Sequence, residues 1–288
     1  MTGKLIIVPT PIGNLGDMTA RALEALRTSD VVCAEDTRVT GKLLLAFGIE
    51  KRVERLDETL MARRAEGVVQ RVRDGEVIAY CSDAGMPGVS DPGLRLVRAA
   101  REAGVAVEVL PGPTAAATAY VASGCTNPRF FFGGFFPRKD AERTAALEAV
   151  RALDAALIFY ESPNRLVDAL DCIADVLPLR CVSVCRELTK LHEEVVSGVS
   201  GQVRDEFRAR ETSAATGKGA GIKGEIVIVI DGQSEAERVS DADAATEAAR
   251  VRAHQLADAG MRKKQIARAL VDEFGIARND AYAIALEA

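Results

Sequence analysis

The chain has 288 residues, of which 48% are hydrophobic and 27% are charged, and its formal net charge is −5. This composition is typical of a globular protein of two or three domains, and no apolar run reaches the roughly 18 residues of a membrane-spanning helix. The negative net charge excludes binding to nucleic acid by overall charge alone, so such a partner would require a local basic patch.

The chain begins with a β-prone segment, residues 1–8, that is too short for a signal peptide, so we expect a cytoplasmic protein. Eight strand-like runs follow one another, mostly separated by helical patterns: 5–8, 31–34, 76–81, 105–110, 130–133, 156–160, 180–185 and 225–230. This alternation predicts an α/β fold. We expect one doubly wound unit over residues 1–112 and a second α/β unit over residues 113–232.

Proline-bearing segments connect four of these strands to the helices that follow: 8–17, 81–92, 110–113 and 160–163. Proline in a first helical turn, after Ser, Asp or Gly, is typical of a helix start. In a mostly parallel sheet the four segments meet at the carboxyl edge, where open α/β sheets bind their ligands. The sequence therefore predicts a ligand crevice at this edge.

The segment SDAGMPGVSDPG, residues 82–93, is longer than the two to six residues that usually connect a strand to a helix. Its glycines allow main chain to approach a ligand closely, and its Ser and Asp side chains offer oxygen atoms. The alternative is a turn whose polar side chains only cap helices and stabilise the loop. The length of the segment favours ligand binding.

The last third of the chain contains two predicted irregular segments and a helical domain. Residues 208–222 are expected to form a mobile loop, and residues 233–240 a polar linker. Residues 241–288 predict three short helices broken near Gly260 and Gly275, a helix-turn-helix-like arrangement. The third helix carries few basic residues, so reading of a DNA sequence is not expected.

The cysteines and one glycine-rich segment do not predict cofactor sites. Four of the six cysteines, Cys33, Cys81, Cys181 and Cys185, lie in apolar runs and are expected to be buried thiols, and with two histidines and no CxxC we expect no metal site. Residues 219–224 match GxGxxG, but a strand-like run follows them where a dinucleotide fingerprint requires a helix.

Seven motifs occur in the order seen in one family: VPTPIGNLGD (8–17), AEDTR (34–38), SDAGMPGVSDPG (82–93), LPGPTAAATA (110–119), FYES (159–162), RELTK (186–190) and KGE (223–225). Over essentially its whole length the chain resembles the bacterial 16S rRNA cytidine 2′-O-methyltransferases, the rRNA branch of the tetrapyrrole methylase superfamily. One position departs from this pattern, since the third motif more often reads SDAGTP and this chain has Met86.

The resemblance implies a homodimeric enzyme that binds S-adenosylmethionine between its two α/β units. Its substrate would be a cytidine 2′-oxygen in the decoding region of 16S rRNA, free or in the small ribosomal subunit. The residues implied for the cofactor are Pro11, Ser82, Asp83, Ala84, Gly85, Ser90, Thr114, Ala115, Glu161, Leu188 and Gly224. The alternatives are a tetrapyrrole precursor methyltransferase and a non-catalytic RNA-binding ribosome assembly factor.

A ribose 2′-hydroxyl is a poor nucleophile near neutral pH, so a carboxylate that takes its proton would assist the reaction. Asp36 and Glu187 are candidates, because each ends a predicted strand beside an arginine, and the alternative for both is a structural ion pair. Cations in or beside the motifs are candidates for RNA phosphate contacts. Each of them alone is also compatible with a solvated surface charge. The candidates are Arg38, Lys42, Arg138, Lys139, Arg165, Arg186 and Lys190.

Overall fold

A computed structural model describes residues 3–217 and 219–288 of the chain. The described residues form two compact units. The first unit runs to Val150 and continues over Asp154–Asp231, and the second comprises Arg151–Leu153 and Gly232–Ala288. The boundary predicted at residue 112 separates two sheets of the first unit.

The first sheet is entirely parallel, with strand order β3-β2-β4-β1-β5. Its strands are β1 (Lys4–Ile7), β2 (Val31–Ala34), β3 (Val53–Arg55), β4 (Val77–Cys81) and β5 (Val107–Val109). Strand β3 was not predicted, because three residues are too few to show a periodic pattern. The helices between the strands are α1 (Ala20–Thr28), α2 (Thr37–Ala46), α3 (Glu58–Arg73) and α4 (Leu94–Glu102), followed by α5 (Ala115–Ala122).

Hydrophobic cores cover both faces of this sheet. Leu5 and Ile7 pack in one cluster with Met61 of α3, whereas Ile6 belongs to the cluster on the opposite face with Leu26 of α1. Successive strand residues point to opposite faces, so a sheet buried on both sides requires continuous apolar runs. This confirms the α/β fold that the alternating pattern predicted.

The second sheet is mixed, so the expectation of mostly parallel strands is wrong there. Its order is β6-β7-β10-β8-β9, and only the β6–β7 pair is parallel. The strands are β6 (Phe130–Phe135), β7 (Ala156–Glu161), β8 (Cys181–Arg186), β9 (Glu194–Val199) and β10 (Ile226–Ile230). Strand β9 was also missed, and it follows β8 through a short connection that contains no helix, which requires an antiparallel pair.

The helices of this half are α6 (Asp140–Val150), α7 (Leu166–Val176) and α8 (Ser200–Ala215), with a 3₁₀ turn over Pro163–Arg165. Helix α8 corrects the loop predicted over residues 208–222, which is helical to Ala215. Phe207 of this helix is fully buried in the core that α7 and α8 form on the sheet. Burial of one apolar stripe therefore stabilises helix in a segment that looks polar overall.

The second unit contains three helices, α9 (Glu235–Asp258), α10 (Lys263–Phe274) and α11 (Arg278–Glu287). Gly275 ends α10 in the left-handed conformation with φ of 65°, and Gly260 follows α9 with φ of 80°, as the predicted breaks require. The linker predicted over residues 233–240 is mostly wrong, because α9 begins at Glu235 with Ser234 as its cap. Among the described residues, no helix is long and apolar enough to cross a membrane.

Three of the four cysteines predicted to be buried are so. Burial raises the pKa of Cys33, Cys81 and Cys185 to about 12, and such thiols are unreactive at neutral pH. Cys181 is exposed, contrary to the prediction, since it is the first residue of β8 at the end of the sheet.

Candidate active site

A cavity of about 320 Å³ lies between the two sheets of the first unit, within the size range of small-ligand sites. It forms where the carboxyl ends of β4, β7 and β8 meet the amino end of the reversed strand β10. Residues in or beside the predicted junctions line the cavity, together with residues of the second sheet. The lining consists of residues 84–86, 89–91, 114–115, 160–163 and 224–227 and of Ile12, Phe135, Cys185 and Leu188.

The long loop after β4 is bound to the loop after β1. Thr10 N donates to Gly85 O at 2.9 Å, and Gly85 N donates to Thr10 O at 3.0 Å. Gly85 has φ of 73°, and a Cβ at this position would lie 3.2 Å from Ile12 Cγ2. The left-handed backbone conformation therefore favours glycine, and the close approach to Ile12 leaves little room for a side chain, so main chain forms this wall of the cavity.

Eight of the eleven residues implied for the cofactor line this cavity: Ala84, Gly85, Ser90, Thr114, Ala115, Glu161, Leu188 and Gly224. The other three, Pro11, Ser82 and Asp83, do not. Asp83 Oδ1 accepts from Asp36 N at 3.0 Å, and Ser82 is buried with its hydroxyl 3.4 Å from Ala84 O. These two side chains therefore stabilise the loop rather than facing the cavity.

Asp91 is an acidic residue of the lining whose pKa is clearly raised. Burial raises the pKa of its carboxyl from 3.8 to about 6, and the negative charges of Glu35 and Asp83 contribute in the same direction. A carboxylate of this kind is typical of functional sites. The loop sequence showed that Asp91 offers oxygen atoms, but not that it is desolvated or close to Glu35.

Glu161 presents a carboxylate oxygen without a protein partner. Its side chain is completely buried, Oε1 accepts from Ser162 N at 2.6 Å, and the same carboxylate pairs with Arg165. Glu161 Oε2 has no hydrogen-bond partner among the described residues. Because a buried polar atom without a partner costs free energy, this atom is suited to a hydrogen-bond donor from a ligand in the cavity.

Two aromatic rings at the cavity were missed by the sequence analysis. Tyr160 is held by a hydrogen bond from Ala116 N to its hydroxyl at 3.2 Å, and Phe135 packs edge-on against it with ring centroids 5.6 Å apart. The available signals were the aromatic run at residues 130–136 for Phe135 and the FYES motif for Tyr160. Neither showed which ring reaches the cavity.

The two predicted catalytic carboxylates are engaged in local structure and lie outside the cavity lining. Asp36 caps α2 by accepting from Arg38 N at 2.8 Å, and the Arg38 guanidinium holds the pKa of Asp36 well below its usual range. Glu187 accepts from Lys190 Nζ at 2.8 Å and from Glu225 N at 3.0 Å, and these bonds lower its pKa. Both arrangements favour the structural ion-pair alternative, since a lowered pKa makes a weak base.

The predicted RNA-contacting cations divide into two groups. Four are exposed: Arg38, Lys42, Arg138 and Lys139. Of these, Arg38 pairs with Asp36 and Lys139 with Glu142. The other three are partly buried and make ion pairs: Arg165 with Glu161, Arg186 with Glu194 at 3.0 Å, and Lys190 with Glu187 and Glu225. Arg138 and Lys42 make no ion pair with any residue that the structure describes, so these two are the freest of the seven to contact a phosphate.

Residues 4–204 match the family Tetrapyrrole (Corrin/Porphyrin) Methylases. Two similar curated proteins are both named Ribosomal RNA small subunit methyltransferase I. The one from Escherichia coli O157:H7 is 41% identical over 99% of this chain and 95% of its own. The one from Haemophilus influenzae (strain ATCC 51907 / DSM 11121 / KW20 / Rd) is 38% identical over 99% and 97%.

Solved structures of two further proteins have a similar fold over about four fifths of this chain. Diphthine synthase superposes with a TM-score of 0.59 at 17% identity, over 80% of this chain and 90% of its own. The cobalt precorrin-4 methyltransferase of cobalamin biosynthesis superposes with a TM-score of 0.56 at 17% identity, over 79% and 94%. At this identity the likeness is evidence for the fold alone.

Proposed function

The chain belongs to the tetrapyrrole (corrin/porphyrin) methylase family and is a ribosomal RNA small subunit methyltransferase, and from this premise we propose its cofactor and target atom. It transfers a methyl group from S-adenosylmethionine to the 2′-oxygen of a cytidine in the decoding region of 16S rRNA. The observation that carries the proposal is 41% identity, over 99% of the chain, to an enzyme of that name.

The residues of the cavity fit S-adenosylmethionine, whose sulfonium is the methyl donor. Main chain at Ala84 and Gly85 allows close approach of a flat nucleoside, and the apolar residues Ile12 and Leu188 exclude water beside it. The unpartnered Glu161 Oε2 offers an acceptor for an ammonium or hydroxyl donor. Three carboxylates in the lining, Asp91, Glu161 and Glu225, favour a cationic ligand.

The transfer is a displacement in line with the breaking bond between sulfur and carbon, so positioning of the 2′-oxygen supplies much of the acceleration. As the oxygen–carbon bond forms, the hydroxyl must lose its proton. We assign the proton acceptor to Asp91, which faces the cavity and whose raised pKa of about 6 makes it a stronger base than an ordinary aspartate. Asp36 and Glu187 lack both properties.

The remaining parts of the proposal concern partners and location. Exposed cations, Arg138 and Lys139 above all, are proposed to contact phosphates of 16S rRNA or of the small subunit. We propose that the enzyme works as a homodimer, as the resemblance implies. Because its substrate is ribosomal, we place it in the cytoplasm.

Two experiments test this function. Mass spectrometry of 16S rRNA nucleosides from a deletion strain should show loss of one 2′-O-methylcytidine, restored by a plasmid copy of the gene. Calorimetry should show that the purified protein binds S-adenosylmethionine. Unchanged nucleosides would contradict the rRNA target, and an enzyme that instead methylated a tetrapyrrole would establish the alternative. A protein without cofactor affinity would be an assembly factor.

A further inference from the structure

A β-bulge lies in β6 where this strand reaches the cavity. Phe132 pairs with Ile158 and Phe135 pairs with Tyr160, so three steps along β6 correspond to two along β7. Side chains alternate between faces along a regular strand, and one extra residue reverses that alternation. The bulge therefore places Phe135 on the same face as Phe132, and both rings pack against Tyr160 at 5.6 and 4.9 Å.

Two glycines make this bulge possible. A Cβ on Gly133 would lie 2.2 Å from Phe159 Cε1, and Gly134 has φ of 71°. Any other residue at the first position would clash with a buried ring, and most residues at the second would be strained. The sequence FFGGF thus specifies a local deformation whose result is the position of Phe135.

Phe135 is held firmly but remains open to solvent. Its side chain lines the cavity while 60% of the residue is exposed, and the ring is supported from one side by Tyr160, which Ala116 N fixes in turn. A rigid aromatic ring at the rim of a cavity, with one side free, is suited to stack on a flat ligand. Three residues further on, the exposed Arg138 is placed to contact a phosphate.

We propose that Phe135 is the platform on which the target pyrimidine of the RNA stacks. The proposal rests on the proposed function, because it assumes an RNA substrate. Sequence-specific RNA recognition commonly uses unpaired bases stacked on aromatic side chains. Stacking of the base on Phe135 holds the attached ribose over the cavity, with its 2′-oxygen directed at the methyl donor.

The test compares Phe135→Ala and Phe135→Tyr with Phe131→Ala. Phe131 is exposed on the same strand and lies outside the cavity lining, so it is the matched control. Methylation of a 16S rRNA fragment gives KM and kcat, and calorimetry gives affinity for S-adenosylmethionine. We expect Phe135→Ala to raise KM for RNA about 5- to 140-fold, the range that loss of one stacked base predicts. For Phe135→Tyr and Phe131→Ala, KM for RNA should stay within about threefold of the wild-type value.

Four outcomes would overturn the platform. An unchanged KM in Phe135→Ala removes the base contact, and an equal rise in Phe131→Ala shows a general surface effect. Loss of affinity for S-adenosylmethionine in Phe135→Ala would show that the ring contacts the cofactor. A change in the variant's molecular mass in solution would show that the ring contacts a second copy of the chain. Turnover by the wild-type enzyme separates the proposed function from the proposed role of Phe135. Failure of the wild type to methylate rRNA refutes the proposed function, whereas the ratio of the variant's KM for RNA to that of the wild type tests Phe135 alone.

Discussion

Replacement of Asp91 by asparagine should stabilise the protein and at the same time impair it. Asp91 has a folded-state pKa of about 6 against an ordinary 3.8, and burial is the main cause. Below pH 3.8 the carboxyl is neutral in both states, so it has no effect on the free energy of unfolding. Between pH 3.8 and about 6 the folded state retains a proton that the unfolded state has released, so stability falls as the pH rises.

The size of this effect follows from the two pKa values. A difference of about two corresponds to about 3 kcal/mol of destabilisation by the ionised carboxylate. Partial solvent exposure reduces this to about 1–2 kcal/mol. About half of the effect is present at pH 5 and nearly all of it at pH 7.5. The asparagine side chain cannot ionise, so the Asp91→Asn variant should unfold about 2–8 °C higher than wild type at pH 7.5.

The assay is thermal denaturation of the cofactor-free proteins from pH 5 to 8.5, with methylation of 16S rRNA measured in parallel. The matched control is Asp175→Asn, at an exposed position on α7, which should change neither quantity. For Asp91→Asn we expect kcat to fall by about 100-fold or more, as for loss of a general base. A variant less stable than wild type at pH 7.5, or a stability difference independent of pH, would refute the burial argument. Full activity in the variant would refute the catalytic assignment.

Three further predictions concern the cavity and the RNA surface. Gly85→Val should abolish the thermal stabilisation by S-adenosylmethionine, since φ of 73° and the 3.2 Å approach to a side chain exclude a branched residue; undiminished stabilisation would contradict it. Glu161→Gln should weaken cofactor affinity about tenfold by calorimetry, as expected for loss of a charged acceptor, and equal affinities would exclude the contact. Arg138→Glu with Lys139→Glu should weaken RNA binding and lower its salt dependence in filter binding, with cofactor affinity unchanged, whereas the same reversal at the exposed residues 63–64 of α3 should leave RNA binding unaffected.

The sequence alone determined the α/β fold and most of the strands that carry the cavity. Hydrophobic periodicity and turn residues act over a few neighbouring positions. For this reason β2 was predicted over its full length, and the end of α10 was predicted at Gly275. In the first sheet the proline-bearing junctions predicted which loops meet, because its parallel strands bring their carboxyl ends to one edge. Segments that depend on distant contacts, such as α8, were predicted wrongly.

Only the tertiary structure decided which side chains face the cavity, how deeply they are buried and how their pKa values are shifted. The reversal of β10 brings Gly224 to the site, and one extra residue in β6 turns Phe135 toward it. The pKa of Asp91 depends on burial and on Glu35, which lies 56 positions earlier in the chain. Burial, electrostatic coupling and strand register are set by residues far apart in sequence, and no local pattern encodes them.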